Sequence, residues 1–342
     1  MNEGIYVDML LYEYGFTYEE VNLIIRDKSF FKYDDSKLGM MVLRNYKYLL
    51  DKGYSLDEIK RMALGYPGSL CVSDNKRQII ENIFLELGMS YNDFKKIVIC
   101  YGNVWSYSKD RICSYIEFFR NLGYSNEDIV NIFRKAALIL RSSVDNFKKL
   151  YNFMIDYGFS KEDIFVIGKN FPGFWSHTFS KVVSIINVFI LYGFTSQEAI
   201  NILVKSPSLL GYGDGTIKDK FDKLFILGFT KEEIINIINI YPSIINCDID
   251  RTSAILDFFT NIGLRNKAIE YPHYFFKQGI ESSYARYCFY MDNNIDINED
   301  TFRRLFVGWK YFEKTFKVSK LELLDKYKYE DSKCKKKIKY LG

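Results

Sequence analysis

The sequence predicts an all-α protein, a superhelical solenoid of tandem helix-turn-helix repeats of about 35 residues each. Three observations predict this fold. A glycine recurs at constant spacing, a helix-capping pair follows it, and a helix-ending residue with an apolar anchor recurs within each interval. Self-similarity at such a period is typical of stacked helical units. The length of 342 residues also exceeds the size at which one compact core stops growing.

The recurring glycines define eight repeats, because each is followed by an apolar or aromatic residue at intervals of 38 and then six times 35 residues. We number repeats 1 to 8 by their opening glycines, which are Gly15, Gly53, Gly88, Gly123, Gly158, Gly193, Gly228 and Gly263. Glycine alone adopts the left-handed conformation at low cost, so each of these residues is expected to end a helix.

A capping pair predicts that a new helix begins just after seven of these glycines. The hydroxyl residues, two positions after the glycine, are Thr17, Ser55, Ser90, Ser125, Ser160, Thr195 and Thr230. The acids, three positions further on, are Glu20, Glu58, Asp93, Asp128, Asp163, Glu198 and Glu233. The hydroxyl accepts from an early helical N–H and the carboxylate reaches back to the cap, which is a capping box. Apolar residues at positions +6, +9, +10 and +13 after the glycine then predict one buried helix face.

Position +14 predicts where this first helix ends. Proline fills it in four repeats, as Pro67, Pro172, Pro207 and Pro242, whereas Gly102 and Ala137 fill it in repeats 3 and 4. A large apolar anchor follows at +17, and an acceptable N-cap stands at +20 as Ser73, Ser108, Ser143, Thr178, Gly213 or Asp248. A second helix is therefore expected from +20 to the next glycine.

The domain organisation follows from this register. Residues 1–280 are expected to form the solenoid, with residues 1–14 as an N-terminal cap. Repeat 8 is shortened, because Pro272 falls at +9. Residues 281–342 are expected to form a helical C-terminal cap that ends in a basic tail.

Composition excludes several function classes. With 47 Lys and Arg against 43 Asp and Glu, a uniformly basic nucleic-acid binder is excluded, so any binding must come from local charge. Six cysteines without a C-x-x-C pair, and only two histidines, predict neither a metal site nor a cofactor. His177 and His273 have no nucleophile or carboxylate at matching spacing, so we predict no catalytic residue and no enzyme activity.

The expected location is the cytoplasm. No apolar run approaches the length that spans a bilayer, so no membrane contact is expected. The first 14 residues contain three acids and no arginine, which fits neither a secretory signal nor a transit peptide. A bacterial cytosol or nucleoid is therefore favoured over an organelle.

The pattern of glycine-aromatic-Ser/Thr, acid, proline and apolar anchor resembles the mitochondrial transcription termination factor (mTERF) family. It is clearest over residues 158–246 and extends over roughly 50–280. The resemblance implies a left-handed superhelix with two helices and a 3₁₀ turn per repeat, and a concave groove for nucleic acid. It also implies a non-enzymatic role in transcription, its termination, or ribosome biogenesis.

Two residue columns are candidate nucleic-acid contacts. Position +23 holds Lys76, Arg111, Asn146, Lys181, Thr216 and Arg251. A cation near a helix N-terminus opposes the macrodipole, so its recurrence suggests an anionic ligand such as phosphate. Position +8 holds Arg61, Lys96, Asn131, Val166, Asn201 and Asn236, whose polar members also suit phosphate or base edges.

The predicted function is non-enzymatic binding of double-stranded DNA or RNA through the phosphate backbone, by a monomer. DNA and RNA are not distinguished by these residues. The alternative is a scaffold that binds a protein or peptide on its concave face, which the near-neutral charge of the middle of the chain also suits.

Overall fold

The all-α helical-repeat fold is confirmed. The computed structural model describes residues 9–28, 30, 35–276 and 279–329, and within them the side chains of all but residues 35, 36 and 249–252. These residues form helices and turns and no strand. Among them no single helix is long and apolar enough to cross a membrane. One bent pair, Phe179–Leu191 with Ser196–Lys205, meets both criteria when its two helices are counted together.

Each complete repeat consists of a first helix, a five-residue 3₁₀ turn and a second helix. The first helices of repeats 1 to 7 are Tyr18–Ile25, Leu56–Gly65, Tyr91–Cys100, Asn126–Lys135, Lys161–Asn170, Ser196–Lys205 and Lys231–Ile240. The 3₁₀ turns of repeats 2 to 7 are Pro67–Cys71, Gly102–Ser106, Ala137–Arg141, Pro172–Ser176, Pro207–Gly211 and Pro242–Asn246. The second helices of repeats 1 to 7 are Asp35–Asp51, Asp74–Glu86, Lys109–Asn121, Val144–Tyr157, Phe179–Leu191, Asp214–Ile226 and Ile249–Asn261.

The predicted caps account for these boundaries. All eight opening glycines have positive φ, between 71° and 112°. The capping box is complete at Thr17, Ser55, Ser125, Ser160, Thr195 and Thr230. At Ser90 the hydroxyl accepts from the Asp93 N–H, but the reciprocal bond to the cap N–H is not formed.

The 3₁₀ turn starts at position +14 whether or not that residue is proline. Gly102 and Ala137 open the same five-residue turn that proline opens elsewhere. The anchors at +17 are at most 2 % exposed, and they are Leu70, Trp105, Leu140, Trp175, Leu210 and Ile245. Burial of this anchor is shared by all six turns, so proline reinforces the turn without being required for it.

Six of the seven capping acids also contact the neighbouring repeat. For each of these six, a side chain from the first helix of the following repeat reaches the carboxylate. The pairs are Glu20–Lys60 (2.7 Å), Glu58–Lys95 (2.8 Å), Asp93–Arg134 (3.9 Å), Asp128–Lys169 (2.9 Å), Glu198–Asn239 (2.8 Å) and Glu233–Arg265 (3.2 Å). The carboxylate that caps a first helix therefore also contacts the next repeat.

Because of these contacts, the stability of the fold is expected to decrease at acidic pH. The hydrogen bond from Lys60 and the cap N–H of Thr17 lower the pKa of Glu20, and Lys95 with Ser55 do the same for Glu58. A carboxylate with a lowered folded-state pKa stabilises the fold above its unfolded pKa, and this contribution is lost as pH falls through the folded pKa. We expect the melting temperature to fall steeply below about pH 4.

Thermal melts followed by circular dichroism between pH 7 and pH 3 measure this dependence. The double variant Glu20→Gln, Glu58→Gln is expected to be less stable at pH 7 and to lose less stability on acidification. Glu86→Gln, at an exposed site on the second helix of repeat 2, is the matched control. If the double variant and the control lose equal stability between pH 5 and pH 3, the capping acids are not the titrating groups.

The chain divides into two compact units between Phe179 and Ser180. The first holds repeats 1 to 4 and the first helix and turn of repeat 5. Its core includes Trp175, whose ring lies 5.3 Å from that of Phe118 between centroids. The second unit has its own aromatic core, in which the rings of Phe189 and Phe221 lie 5.7 Å apart. This boundary lies inside the predicted solenoid, and the predicted division at residue 281 stays a prediction.

The C-terminal helices pack on a shortened repeat 8. That repeat has the helices Arg265–Glu270, Pro272–Phe275 and Ile280–Asp292, and it is followed by Glu299–Arg304, Trp309–Phe316 and Lys320–Lys326. The fully buried guanidinium of Arg286 donates to the Leu305 carbonyl at 2.6 Å and lies 4.1 Å from the Trp309 ring centroid. The predicted basic tail lies outside the described residues, as do residues 1–8 of the predicted N-terminal cap, whose described part contains a π-helical turn, Met9–Glu13.

Candidate nucleic-acid interface

Three of the four cations of the +23 column have partners in the following repeat. Each donates to a backbone carbonyl at the C-terminal end of the next 3₁₀ turn, and the pairs are Lys76 to Ser106 (2.6 Å), Arg111 to Leu140 (3.0 Å) and Lys181 to Tyr212. Carbonyls at a helix C-terminus lack intrahelical donors and carry partial negative charge. These three cations therefore have a stabilising partner within the protein, which offsets the unfavourable interaction with the dipole of their own helix.

Repeat 6 supports this structural role. Its +23 residue is the exposed Thr216, and Lys220, one helical turn later, donates to the Cys247 carbonyl at 2.8 Å in its place. In repeat 4 the +23 residue Asn146 is exposed. Arg251 lies on the second helix of repeat 7, but its side chain is outside the described residues. Nucleic-acid contact by this column stays a prediction.

The +8 column lies on the surface of the first helices. Arg61, Lys96, Asn201 and Asn236 are exposed and Asn131 is half-buried. Lys96 keeps 72 % of its side chain exposed and is 3.3 Å from the carboxylate of Asp93. These residues are free to contact a ligand, and that role too stays a prediction.

One residue from each column meets in a cavity of about 460 Å³, here called the arginine cavity. Arg61, on the first helix of repeat 2, lines it together with Arg111, on the second helix of repeat 3, and Arg141, in the 3₁₀ turn of repeat 4. The other walls come from the C-terminal parts of the first helices of repeats 2 and 3 and from the start of the 3₁₀ turn of repeat 3. Of the described residues that line it, none is acidic. Arg61 and Arg141 are exposed, and neither forms an ion pair with a carboxylate of the described residues.

Aromatic rings hold two of the three arginines. The Cζ atom of Arg111 lies 3.9 Å from the ring centroid of Tyr107, and its Nε donates to the Tyr115 hydroxyl at 3.2 Å. The Cζ atom of Arg141 lies 5.3 Å from the ring centroid of Tyr101. The hydroxyls of Tyr101 and Tyr107 are hydrogen-bonded to each other.

Tyr107 is neutral at physiological pH. Burial raises the pKa of Tyr107, and its hydrogen bond with Tyr101 raises it further. Tyr107 therefore adds no negative charge to the cavity, and its described lining contains no carboxylate to offset the three guanidinium groups.

Comparison of columns missed Arg141, Tyr101 and Tyr107. Arg141 is at +18, where other repeats have Cys, Ser, Gly or Asn, so a search for recurring residues cannot detect it. The available signal was Gly102 in the proline slot. A Cβ atom at that position would lie 2.9 Å from Cγ of Met62, which also lines the arginine cavity.

The basic surface continues one repeat further along the chain. Lys96, Arg134 and Lys135 line a second cavity of about 370 Å³ between the first helix of repeat 3 and the turns of repeats 4 and 5. Arg134 and Lys135 are exposed at the C-terminal end of a first helix, where the macrodipole favours cations. Across the described part of the chain, no group of three or more His, Cys, Asp and Glu side chains is placed to hold a metal ion.

Comparison with known proteins agrees with this architecture. Residues 72–182 and 175–272 each match the model of the mTERF family, and together they span more than half of the chain. The mTERF family is known for nucleic-acid binding. No curated protein matches the chain. On the extent of this match and on the repeat that it covers, the chain belongs to the mTERF family.

Proposed function

We propose that this chain binds double-stranded DNA or RNA by contacts between its basic surface in repeats 2 to 4 and the phosphate backbone, without catalysing a reaction. The observation that carries the proposal is the arginine cavity, which Arg61, Arg111 and Arg141 line without an acidic lining residue among those described. Like charges brought together in this way repel one another, and an anionic ligand removes that cost.

Arginine suits this role because its planar fork can donate two parallel hydrogen bonds to one phosphate group. Phosphate contacts position a nucleic acid but do not read its sequence. The proposal therefore concerns affinity, and a role in transcription or ribosome biogenesis is what the family resemblance adds to it. The near-neutral total charge of +4 agrees with binding at a local surface.

The test is a mobility-shift titration with duplex DNA and duplex RNA of one sequence at 50 mM and 200 mM salt. If three phosphates are contacted, affinity is expected to fall by about 40-fold between these conditions. The variant Arg61→Glu, Arg141→Glu should bind less tightly, and its salt slope should be smaller by about two. Arg111 is left unchanged because its loss would also break the bond to Leu140.

The matched control is Lys148→Glu, Lys149→Glu, an equal charge change on the exposed surface of the second helix of repeat 4. It should retain nearly the affinity of the parent protein. Failure to shift either duplex would contradict nucleic-acid binding and favour the protein-scaffold alternative. An equal loss in the control would contradict binding at the arginine cavity.

A further inference from the structure

We infer that the arginine cavity is a discrete site for a terminal phosphate group, a phosphate monoester carried by a free nucleotide or by the end of a nucleic-acid strand. The inference rests on the proposed function in that it uses the same arginines. It goes further by naming the form of phosphate that the site accepts.

The charge of the arginine cavity favours a terminal phosphate over a phosphodiester. A phosphodiester in a nucleic-acid backbone carries one negative charge and two non-bridging oxygens. A terminal phosphate carries close to two charges at neutral pH and has three acceptor oxygens. Three guanidinium groups without an acidic lining residue match the second group better. Arg61 and Arg141 can each present a fork to the phosphate, and Arg111, whose Nε and Nη2 already donate to Tyr115 and Leu140, adds its Nη1.

Two of the three arginines are held in place before a ligand binds. Arg111 is fixed by the Tyr115 hydroxyl, the Leu140 carbonyl and the face of Tyr107, so its side chain loses little freedom when a ligand binds. Arg141 lies over Tyr101, whose hydroxyl is bonded to that of Tyr107. Groups already held in place cost less entropy on binding than mobile surface side chains.

The size and the lining of the arginine cavity suit a ligand larger than a phosphate ion. A volume of about 460 Å³ falls within the range of small-molecule sites, so it accommodates more than a phosphate ion. The remaining walls include Tyr66 and Ile99, which offer apolar and aromatic surface to a sugar or base. Asn103, which donates to the Tyr101 hydroxyl at 3.3 Å, adds an amide to the same wall.

The test is isothermal titration calorimetry on the full chain with adenosine 5′-monophosphate and adenosine as probes. We expect the monophosphate to bind at least about tenfold more tightly than adenosine. Arg141→Gln should weaken monophosphate binding by about tenfold without changing the melting temperature. Lys148→Gln, away from the cavity, should leave it unchanged. Equal binding of the two probes, or equal binding by the parent and Arg141→Gln, would overturn the inference.

A second arm identifies the source of the phosphate. A single-stranded oligonucleotide with a 5′-phosphate is compared with the same strand carrying a 5′-hydroxyl. Tighter binding of the phosphorylated strand by about tenfold supports a strand end as ligand, whereas a preference confined to the monophosphate supports a free nucleotide. If long duplexes bind but no terminal phosphate is preferred, this inference fails and the proposed function stands. If the monophosphate binds and duplexes do not, this inference stands and the proposed function fails.

Discussion

Replacing Trp175 with alanine is expected to lower the free energy of unfolding of the first unit by about 3–5 kcal/mol. The side chain is only 1 % exposed. Its ring packs against those of Phe118, Phe119 and Phe147 at centroid distances of 5.3–5.8 Å. These neighbours belong to two different second helices and cannot all collapse into the space that the indole leaves. Urea denaturation of the full chain, followed by far-ultraviolet circular dichroism, measures the loss.

The control for this substitution is Leu138→Ala. Leu138 lies in the 3₁₀ turn of repeat 4 but is 52 % exposed, so its truncation should cost no more than about 0.5 kcal/mol. Equal shifts of the denaturation midpoint in the two variants would show that the burial of Trp175 is not what makes its loss destabilising.

Introducing leucine at Gly168 is expected to destabilise the protein by about 2–3 kcal/mol, although leucine favours helix more than glycine does. A Cβ atom at this buried site would overlap the Tyr124 hydroxyl and lie 2.6 Å from Nε1 of Trp175. The glycine at +10 therefore makes room for the indole at +17. Repeat 6 solves the same packing problem with two leucines, Leu203 and Leu210, both fully buried.

This size pairing makes the two sites interdependent. The double variant Gly168→Leu, Trp175→Leu copies the pair of repeat 6 and should be more stable than the sum of the single changes predicts, by about 1–3 kcal/mol. Denaturation of the four proteins of this mutant cycle gives the coupling energy. Additivity within about 0.5 kcal/mol would show that the two sites do not share one volume.

Local signals explain how much of the fold could be predicted. A left-handed glycine, a capping box and an N-cap each act within a few residues, so Gly158, Ser160 and Asp163 mark a helix boundary that neighbouring structure does not alter. The proline slot was predicted less completely. Gly102 and Ala137 interrupt the pattern, yet burial of the anchor at +17 still forms the turn.

The candidate site could be predicted only in part, because its contacts are distant in sequence. Lys76 was predicted as a phosphate contact because it opposes the helix macrodipole, and its acceptor in the fold is the Ser106 carbonyl, 30 residues away. Arg61 and Arg111 were predicted as members of separate columns, and only the packing of neighbouring repeats places them in one cavity. Arg141 could not be predicted in this way, because no other repeat from 2 to 7 has a basic residue at position +18.

The contacts from six capping acids to the next repeat restrict how this chain can evolve in length. Their partners stand at different positions, but all six lie on the first helix of the following repeat, and duplication or loss of a whole 35-residue segment keeps such a helix beside each capping acid. An insertion of a few residues within a first helix would instead separate acid and donor at two junctions. Repeat 8 shows how a shortened unit still meets this constraint. Arg265, near the start of its first helix, reaches both the Glu233 carboxylate at 3.2 Å and the Gly228 carbonyl at 2.8 Å. Families built in this way should therefore differ by integral numbers of repeats more readily than by small insertions within helices.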